Sequence, residues 1–238
     1  MAVENYGIDY IRQLVKTKEL YKIFAADTSY MAYSTPTTFF MAGSTGAGKT
    51  ETSIRFIKNI NQTLNFPIVR IDADEIREKI PGYNGQNAHL YQQASILGVN
   101  KLYDYVNKKG FNVLMDGTFR NKKYAMENIQ RAINKGREVY VIYIYQEPTR
   151  AWEFTLKREK LQNRKITKDI FIDSFISSKD NVNEIKQIFK TKVNIILIQK
   201  DYYNNDEKFW LNIDKIDNYI KFDYTKDSLN DIIKDIKV

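Results

Sequence analysis

One glycine-rich segment limits the folds open to this chain more than any other feature. It follows the β-forming run Thr37–Ala42, precedes a helical stretch, and reads Gly43-Ser44-Thr45-Gly46-Ala47-Gly48-Lys49-Thr50. The spacing Gly-x-x-x-x-Gly-Lys-Thr lets backbone N–H groups turn towards one bound anion. Lys49 supplies a positive charge for β- and γ-phosphates, and the Thr50 hydroxyl suits Mg²⁺. We therefore expect these eight residues to bind ATP and Mg²⁺ within a P-loop NTPase fold.

Five β-rich runs alternate with helical stretches along the chain. The runs are Thr37–Ala42, Phe66–Asp72, Phe111–Asp116, Val139–Tyr145 and Val193–Gln199. Because they are almost continuously apolar, they are typical of strands covered on both faces. Alternation of such strands with helices predicts a parallel sheet with right-handed crossovers. The sequence thus indicates an α/β protein with a five-stranded parallel sheet flanked by helices.

The predicted helices share an apolar stripe at helical spacing or a terminal proline or glycine. They cover Tyr6–Ala26, Ala88–Lys109, Asn121–Lys135, Pro148–Gln162, Asp169–Phe189 (as one helix or two) and Ser228–Lys237. Gly110 and Gly136 follow two of them, where glycine often ends a helix. We expect a single kinase domain over residues 1–238, with a helical extension at 1–36, a core at 37–200 and a helical tail at 201–238.

Composition narrows the class of protein and of partner. The chain lacks cysteine and has a single histidine, His89, so a disulfide framework or a thiolate metal site is excluded. Its longest apolar run, Val139–Tyr145, is too short to span a membrane. Residues 1–10 show no secretory signal, and we expect a cytoplasmic protein without a membrane partner. A net charge of +8 suits polyanionic ligands, but the lysines are dispersed, so nucleic acid is not the expected partner.

Carboxylates end two of the predicted strands beside the glycine-rich loop. They are Asp72 and Asp74 after the second strand and Asp116 after the third. Ligands of open α/β sheets bind at this edge, and a kinase needs one carboxylate to accept the acceptor's proton and another near Mg²⁺. We predict Asp74 as the base, Asp72 as a residue that positions Thr50, Mg²⁺ or the loop, and Asp116 as a contact for metal-bound water or substrate. A helix cap at Asp74 and a plain turn at Asp116 are the alternatives.

Two arginines follow the fourth predicted strand. Arg158 lies in a Lys/Arg-rich helix, and Arg164 lies beyond its end at Asn163. Arginine can neutralise a phosphoryl group in a bidentate manner, and such a segment can close over ATP. A solvated basic helix is the other interpretation of the same residues.

The order of these motifs resembles the zeta toxin family, the kinase half of bacterial toxin–antitoxin pairs. The resemblance covers about Phe39 to Phe189. It rests on Gly-x-x-Gly-x-Gly-Lys-Thr, Ile71-Asp72-Ala73-Asp74 with Ile76-Arg77, Asp116-Gly117-Thr118-Phe119-Arg120, Lys157-Arg158-Glu159 and Asn163-Arg164-Lys165. It implies the strand order second–third–first–fourth–fifth. It also implies a cognate antitoxin and phosphorylation of the sugar 3′-hydroxyl of UDP-N-acetylglucosamine, which blocks cell-wall synthesis.

The resemblance also implies roles for individual residues. Asp74 matches the catalytic base, and Lys49, Arg158 and Arg164 match the cations that hold the γ-phosphate. Asp116, with Thr118 and Arg120 beside it, matches the substrate-binding region. Three other functions remain open from the residues themselves: a polynucleotide or tRNA 5′-kinase, another small-molecule kinase such as one acting on an antibiotic, and a nucleotide-binding module without catalysis.

Overall fold

Six strands form one sheet in the computed structural model, which describes residues 2–26, 29–162, 166–204, 206–221 and 223–236. The strands are β1 Thr37–Ala42, β2 Ile68–Asp72, β3 Asn112–Asp116, β4 Glu138–Gln146, β5 Asn194–Asp201 and β6 Asp206–Leu211. Their spatial order is β2-β3-β1-β4-β5-β6. The first five pair in parallel, which confirms the predicted α/β fold and strand order, and β6 adds an antiparallel edge to β5.

The helices lie between and around the strands. In the described residues they are α1 Ala2–Lys16, α2 Glu19–Ala25, α3 Lys49–Leu64, α4 Ala73–Glu78, α5 Gln92–Lys109, α6 Lys122–Asn134, α7 Pro148–Gln162, α8 Lys168–Phe189 and α9 Lys226–Ile233. The helix predicted over Tyr6–Ala26 is two helices, and Lys18 between them adopts φ 63°. The stretch predicted to start at Ala88 begins as a short 3₁₀ helix, Ala88–Tyr91, before α5.

Sequence patterns predict a helical tail over residues 201–238, and the structure differs at its start. Strand β6 lies there, with most of its side chains exposed. It is held by its ladder with β5 and by Glu207, whose two carboxylate oxygens lie 2.6 and 2.5 Å from the Arg55 guanidinium. A strand fixed by backbone pairing and an ion pair lacks the apolar alternation that would reveal it in a sequence. In the described residues of this tail, the helical parts are a short 3₁₀ helix, Ile216–Asn218, and α9.

Alternating side chains of the sheet enter two cores. On β1, Phe40 and Ala42 join the larger core, whereas Phe39 and Met41 join a smaller one that α3 covers. This double burial explains the continuous apolar runs. Because β1, β2 and β3 are parallel neighbours, their carboxyl ends lie at the same edge of the sheet. A loop or the start of a helix follows each of these strands there. Among the described helices, none has the length and apolar character needed to cross a membrane.

Candidate active site

The loop between β1 and α3 adopts a backbone that glycine favours. Gly43, Gly46 and Gly48 have φ values of 136°, 72° and 79°. A Cβ at Gly46 would lie 1.9 Å from the carbonyl oxygen of Ala151 in α7, and one at Gly43 would lie 2.5 Å from that of Ile144 in β4. The loop therefore packs against neighbouring backbone so closely that side chains would displace it.

Neighbouring elements hold the loop in this conformation. The backbone N–H of Thr45 donates to Ser174 Oγ of α8 at 3.3 Å, and that of Gly43 donates to the carbonyl of Thr118 at 3.3 Å. The hydroxyl of Thr155 in α7 lies 3.5 Å from that of Thr45. Contacts from three separate segments order the loop before any ligand binds, which lowers the entropic cost of binding.

Lys49 is the cation of this loop. Its Nζ donates to the carbonyl of Ser44 at 2.5 Å. Burial lowers the pKa of Lys49 to about 8; Asp116 counteracts this shift and Arg158 adds to it. A buried ammonium beside backbone turned by glycines fits a polyanion, since phosphate oxygens would restore the charge compensation that burial removes. Residues of this loop thus suit nucleotide phosphates, and Thr50 at the start of α3 lines the same cleft.

Behind the loop, Arg70 of β2 joins three carboxylates. Its Nη2 lies 2.6 Å from Asp72 Oδ2 and 2.5 Å from Asp116 Oδ2, and Glu75 pairs with its Nη1. Ser53 Oγ of α3 donates to the same Asp116 oxygen at 2.8 Å. The Asp116 side chain is only 4% exposed. This network connects β2, β3 and α3, and it engages one oxygen of Asp116 before a substrate arrives.

Asp72 is the N-cap of α4. Its Oδ1 accepts from the backbone N–H of Asp74 at 2.8 Å, while Oδ2 pairs with Arg70. Burial, followed by the charges of Asp116 and Asp74, raises the pKa of Asp72 to about 6. In the described parts of the chain, no three His, Cys, Asp or Glu side chains group to hold a metal ion. An Mg²⁺ ion bound with ATP would take phosphate oxygens and water as ligands beside the Thr50 hydroxyl. The contacts of Asp72 order the turn into α4.

Asp74 lies in the first turn of α4 and faces the cleft. Its side chain is 26% exposed, more than that of Asp72 or Asp116. Its Oδ1 lies 2.7 Å from Nη1 of Arg77, and its Oδ2 lies 3.4 Å from Nη2 of Arg158 in α7. A carboxylate at this position can reach a ligand in the cleft, because it is neither the helix cap nor enclosed behind the loop.

The cleft itself has a volume of about 1090 Å³. The loop residues Thr45–Thr50 form one wall, and Asp74, Asp116, Thr118 and Arg158 line the remainder of the predicted site. A cleft of this size holds a nucleotide together with part of a second substrate. The structure therefore brings together the loop, the predicted base, one predicted arginine and two of the three predicted substrate residues.

One predicted residue, Arg120, is placed differently. Arg120 follows β3 but points away from the cleft, with its Nε 3.5 Å from Asp173 Oδ2 of α8. It lines a separate depression of about 590 Å³, which is also lined by Lys226, the first residue of α9. The left-handed backbone at Phe119, φ 63°, lies directly before it. Arg164 lies outside the described residues.

Several residues of the cleft were not predicted from the sequence. Lys200 at the end of β5 is 12% exposed, and its Nζ lies 3.4 Å from the carbonyl of Gly48. Burial lowers the pKa of Lys200. Tyr202 beyond it also lines the cleft, as do Arg77 and Gln92 on the Asp74 side. A basic residue at the carboxyl end of a predicted strand was the available signal for Lys200.

Comparisons with known proteins agree with this fold. A chain of the PezAT chromosomal toxin–antitoxin system of the human pathogen Streptococcus pneumoniae has a TM-score of 0.62 and 20% identity, covering 98% of this chain and 90% of that chain. The AvrRxo1-ORF1:AvrRxo1-ORF2 structure with sulphate ions gives 0.59 and 14%, covering 92% and 70%. The AvrRxo1-ORF1:-ORF2 structure with ATP gives 0.58 and 14%, covering 87% and 65%. These likenesses establish a common fold.

Comparison of the sequence with models of protein families gives a more specific result. A search of curated proteins finds no significant match. The model of the family described as Zeta toxin, in contrast, matches residues 22–212, a span that contains all six strands, the glycine-rich loop, Asp74 and Arg158. The chain therefore belongs to the zeta toxin family.

Proposed function

We propose that the chain is an ATP-dependent kinase that phosphorylates the sugar 3′-hydroxyl of UDP-N-acetylglucosamine or a related nucleotide sugar, and thereby blocks cell-wall synthesis. The observation that carries this proposal is the meeting of Lys49, Asp74 and Arg158 at one cleft, with Asp74 and Arg158 3.4 Å apart. A cation from the phosphate loop, a carboxylate and a second cation are the groups that phosphoryl transfer uses. Membership of the zeta toxin family supports the nucleotide-sugar acceptor.

The loop from Gly43 to Thr50 would hold the phosphates of ATP. The left-handed glycines and the buried Lys49 support this assignment, and a structural neighbour, AvrRxo1-ORF1:-ORF2, has been solved with ATP. Mg²⁺, when bound, would supply neutralising charge to the phosphate oxygens. On the protein side, Thr50 provides the hydroxyl suited to that ion.

Asp74 would act as the general base towards the acceptor hydroxyl. Lys49 and Arg158 would place positive charge where the phosphoryl group moves, and Arg164 would join them through the segment after α7. This charge placement favours the transition state because the loop that carries Lys49 is already held by contacts with α7, α8 and Thr118 when the substrate enters. Arg158 is 47% exposed in its side chain, so it has room to turn from Asp74 towards a phosphate.

Asp116 and Thr118, which line the same cleft, would contact the acceptor. Asp116 is held by Arg70 and Ser53, so it would orient the sugar as a fixed acceptor of hydrogen bonds. Arg120 would contribute only after its ion pair with Asp173 opens. Membership of a family of toxins and the toxin–antitoxin neighbour also support a cognate antitoxin as the protein partner.

The test is mass spectrometry of a mixture of purified protein, ATP-Mg²⁺ and UDP-N-acetylglucosamine. Phosphorylated nucleotide sugar should form with the wild type and with Asp9→Asn, whose carboxylate lies in an exposed ion pair with Arg12 on α1. It should not form with Lys49→Ala or Asp74→Asn. Persistence of product in Asp74→Asn would remove the assigned base.

A second set of acceptors separates this proposal from the other kinase classes. If ATP binds but UDP-N-acetylglucosamine stays unmodified, the acceptor assignment is wrong. Oligonucleotides with a 5′-hydroxyl and a panel of aminoglycoside and amphenicol antibiotics are then offered. Phosphate incorporated into either one would identify the corresponding class.

A further inference from the structure

A buried arginine lies directly behind Asp74. The side chain of Arg77 is 2% exposed, although arginine is among the residues least often buried. Its Nη1 donates to Asp74 Oδ1 at 2.7 Å, and its Nη2 donates to Gln92 Oε1 at 2.8 Å and to Ser95 Oγ at 3.2 Å. We propose that Arg77 is a positioning residue that fixes the carboxylate of Asp74 for catalysis, an inference that rests on the proposed function.

The need for such a residue follows from the helix that carries Asp74. Helix α4 has only six residues, Ala73–Glu78, and a helix this short is not stable by itself. Helix α5 has eighteen residues, Gln92–Lys109, and supplies both Gln92 and Ser95. The guanidinium fork of Arg77 thus connects the first turn of a short helix to the start of a long one. Catalytic groups must be held within about 0.5 Å of the productive geometry, which α4 alone does not provide.

The anchor on α5 is itself well fixed. Ser95 is fully buried, and its Oγ donates to the carbonyl of Gln92 at 2.9 Å. Gly98 lets the two helices approach closely, since a Cβ there would lie 2.7 Å from Cγ2 of Ile76. The ring of Tyr83 lies 6.0 Å from the Arg77 guanidinium carbon. Because these neighbours surround the arginine, its own position is well determined, and so is that of the carboxylate it holds.

Stability alone is a weak reason for this arrangement. Replacing a buried ion pair by apolar side chains of similar volume is often neutral or stabilising. The pair here opens onto the cleft, with Asp74 26% exposed, so its placement serves the cleft more directly than the core. The guanidinium of arginine carries five N–H donors in a rigid planar fork, which suits it to hold a carboxylate and two acceptors on another helix at the same time.

The contacts assign different roles to the two oxygens of Asp74. Oδ1 is held by Arg77 from within the protein, whereas Oδ2 faces Arg158 on the cleft side. Oδ2 is therefore the oxygen that accepts the acceptor's proton. In that step the hydroxyl O–H bond breaks and its oxygen bonds to the γ-phosphorus. The bond from that phosphorus to the bridging oxygen breaks, and ADP leaves with the electron pair.

The experiment compares Arg77→Met, Arg77→Lys and Gln92→Ala with a matched pair of controls, Arg12→Met and Arg12→Lys. Arg12 pairs with Asp9 at the same helical spacing and at 3.0 Å, but both side chains are about 70% exposed on α1. Steady-state kcat and KM are measured for ATP and for the acceptor, and urea denaturation establishes that each variant is folded.

A positioning role predicts a loss in kcat with little change in either KM. Since a misplacement of about 1 Å can cost on the order of 10²-fold, Arg77→Met should lower kcat by about that factor. Arg77→Lys should recover part of it because a single ammonium keeps the charge but not the fork. Gln92→Ala, at an exposed position, should lower kcat severalfold, and the Arg12 variants should match the wild type.

Several results would overturn the proposal. One is a wild-type kcat in folded Arg77→Met; another is a raised acceptor KM at unchanged kcat, which would make Arg77 a substrate contact. If the Arg77 variants do not fold, an unchanged kcat in Gln92→Ala serves as the decisive result. If the wild type phosphorylates no acceptor, the proposed function fails separately. Crystal structures of Arg77→Lys and Gln92→Ala then test the inference, and an unmoved Asp74 carboxylate would contradict it.

Discussion

Replacing Gly46 by alanine should damage the phosphate loop far more than the same change at another left-handed glycine. Gly46 has φ 72°, and a Cβ there would lie 1.9 Å from the carbonyl oxygen of Ala151 and 2.6 Å from Thr155 Oγ1. Gly136 has nearly the same backbone angle, φ 67°, but a Cβ there meets no atom within 4 Å. Both substitutions place alanine in a left-handed backbone conformation, but only the one at Gly46 creates a steric clash.

The expected losses of stability and of ATP affinity follow from the backbone strain and the steric clash. The left-handed conformation costs alanine about 1–2 kcal/mol, so Gly136→Ala should lower the melting temperature by roughly 2–8 °C for a chain of this size. At Gly46 the contact with Ala151 must also lengthen from 1.9 Å towards 3.0 Å. The contacted atom belongs to the backbone of α7, so the loop must move by about an ångström. Such a displacement should weaken ATP binding by at least about tenfold, or 1.4 kcal/mol.

Two measurements check this reasoning. Urea denaturation gives the loss of unfolding free energy in both variants, and calorimetric titration with ATP-Mg²⁺ gives the dissociation constant. Gly136→Ala should bind ATP as the wild type does, while Gly46→Ala should bind it more weakly and lose more stability. Equal stability losses together with wild-type ATP affinity in Gly46→Ala would refute the argument that packing against α7 fixes the loop.

Two further outcomes are expected. At pH 8 about half of the Lys49 side chains should be neutral because burial lowers the Lys49 pKa to about 8. ATP binding should then take up about half a proton, seen by calorimetry in buffers of different ionisation enthalpy and lost in Lys49→Met; a buffer-independent heat would contradict it. Folding, in contrast, releases a proton from Lys49 at this pH, because lysine in the unfolded chain keeps its proton. The contribution of Lys49 to the free energy of unfolding therefore rises with pH above about 8. Asn181→Ala should cost about 1–3 kcal/mol in urea denaturation, because Nδ2 of Asn181 donates to the carbonyls of Phe119 and Arg120 at 3.0 and 2.7 Å; unchanged stability would show that Phe119 keeps its left-handed backbone without this support.

Local patterns were sufficient to predict most of the sheet. The bounds of β1, Thr37–Ala42, and of α7, Pro148–Gln162, are those predicted, because continuous apolar residues and a proline in the first turn are short-range signals. The glycine-rich loop and the three aspartates at strand ends were located for the same reason. The spatial order of strands was available only through the family resemblance.

Long-range contacts explain what was missed. Lys200 reaches the carbonyl of Gly48 across 152 positions of sequence, and Glu207 reaches Arg55 across the same separation. Neither of these contacts produces a periodic pattern in the sequence. The placement of Arg120 at the cleft was implied by the family resemblance, whereas the turn at Phe119 and the ion pair with Asp173 direct its side chain elsewhere.

The three aspartates at the edge of the sheet show why residue type and spacing do not by themselves assign a catalytic role. Asp116 is 4% exposed and bound by Arg70 and Ser53, and Asp72 is 12% exposed and occupied as the cap of α4. Asp74 is 26% exposed, with one oxygen fixed from behind and the other on the cleft side. A general base must be both oriented and reachable, and the other two carboxylates, although they line the cleft, are less exposed and already occupied by contacts within the protein. The contacts of Asp72 and Asp116 thus help to hold the elements that position Asp74. Replacing either residue should therefore disturb catalysis through the position of Asp74 as well as through any contact of its own.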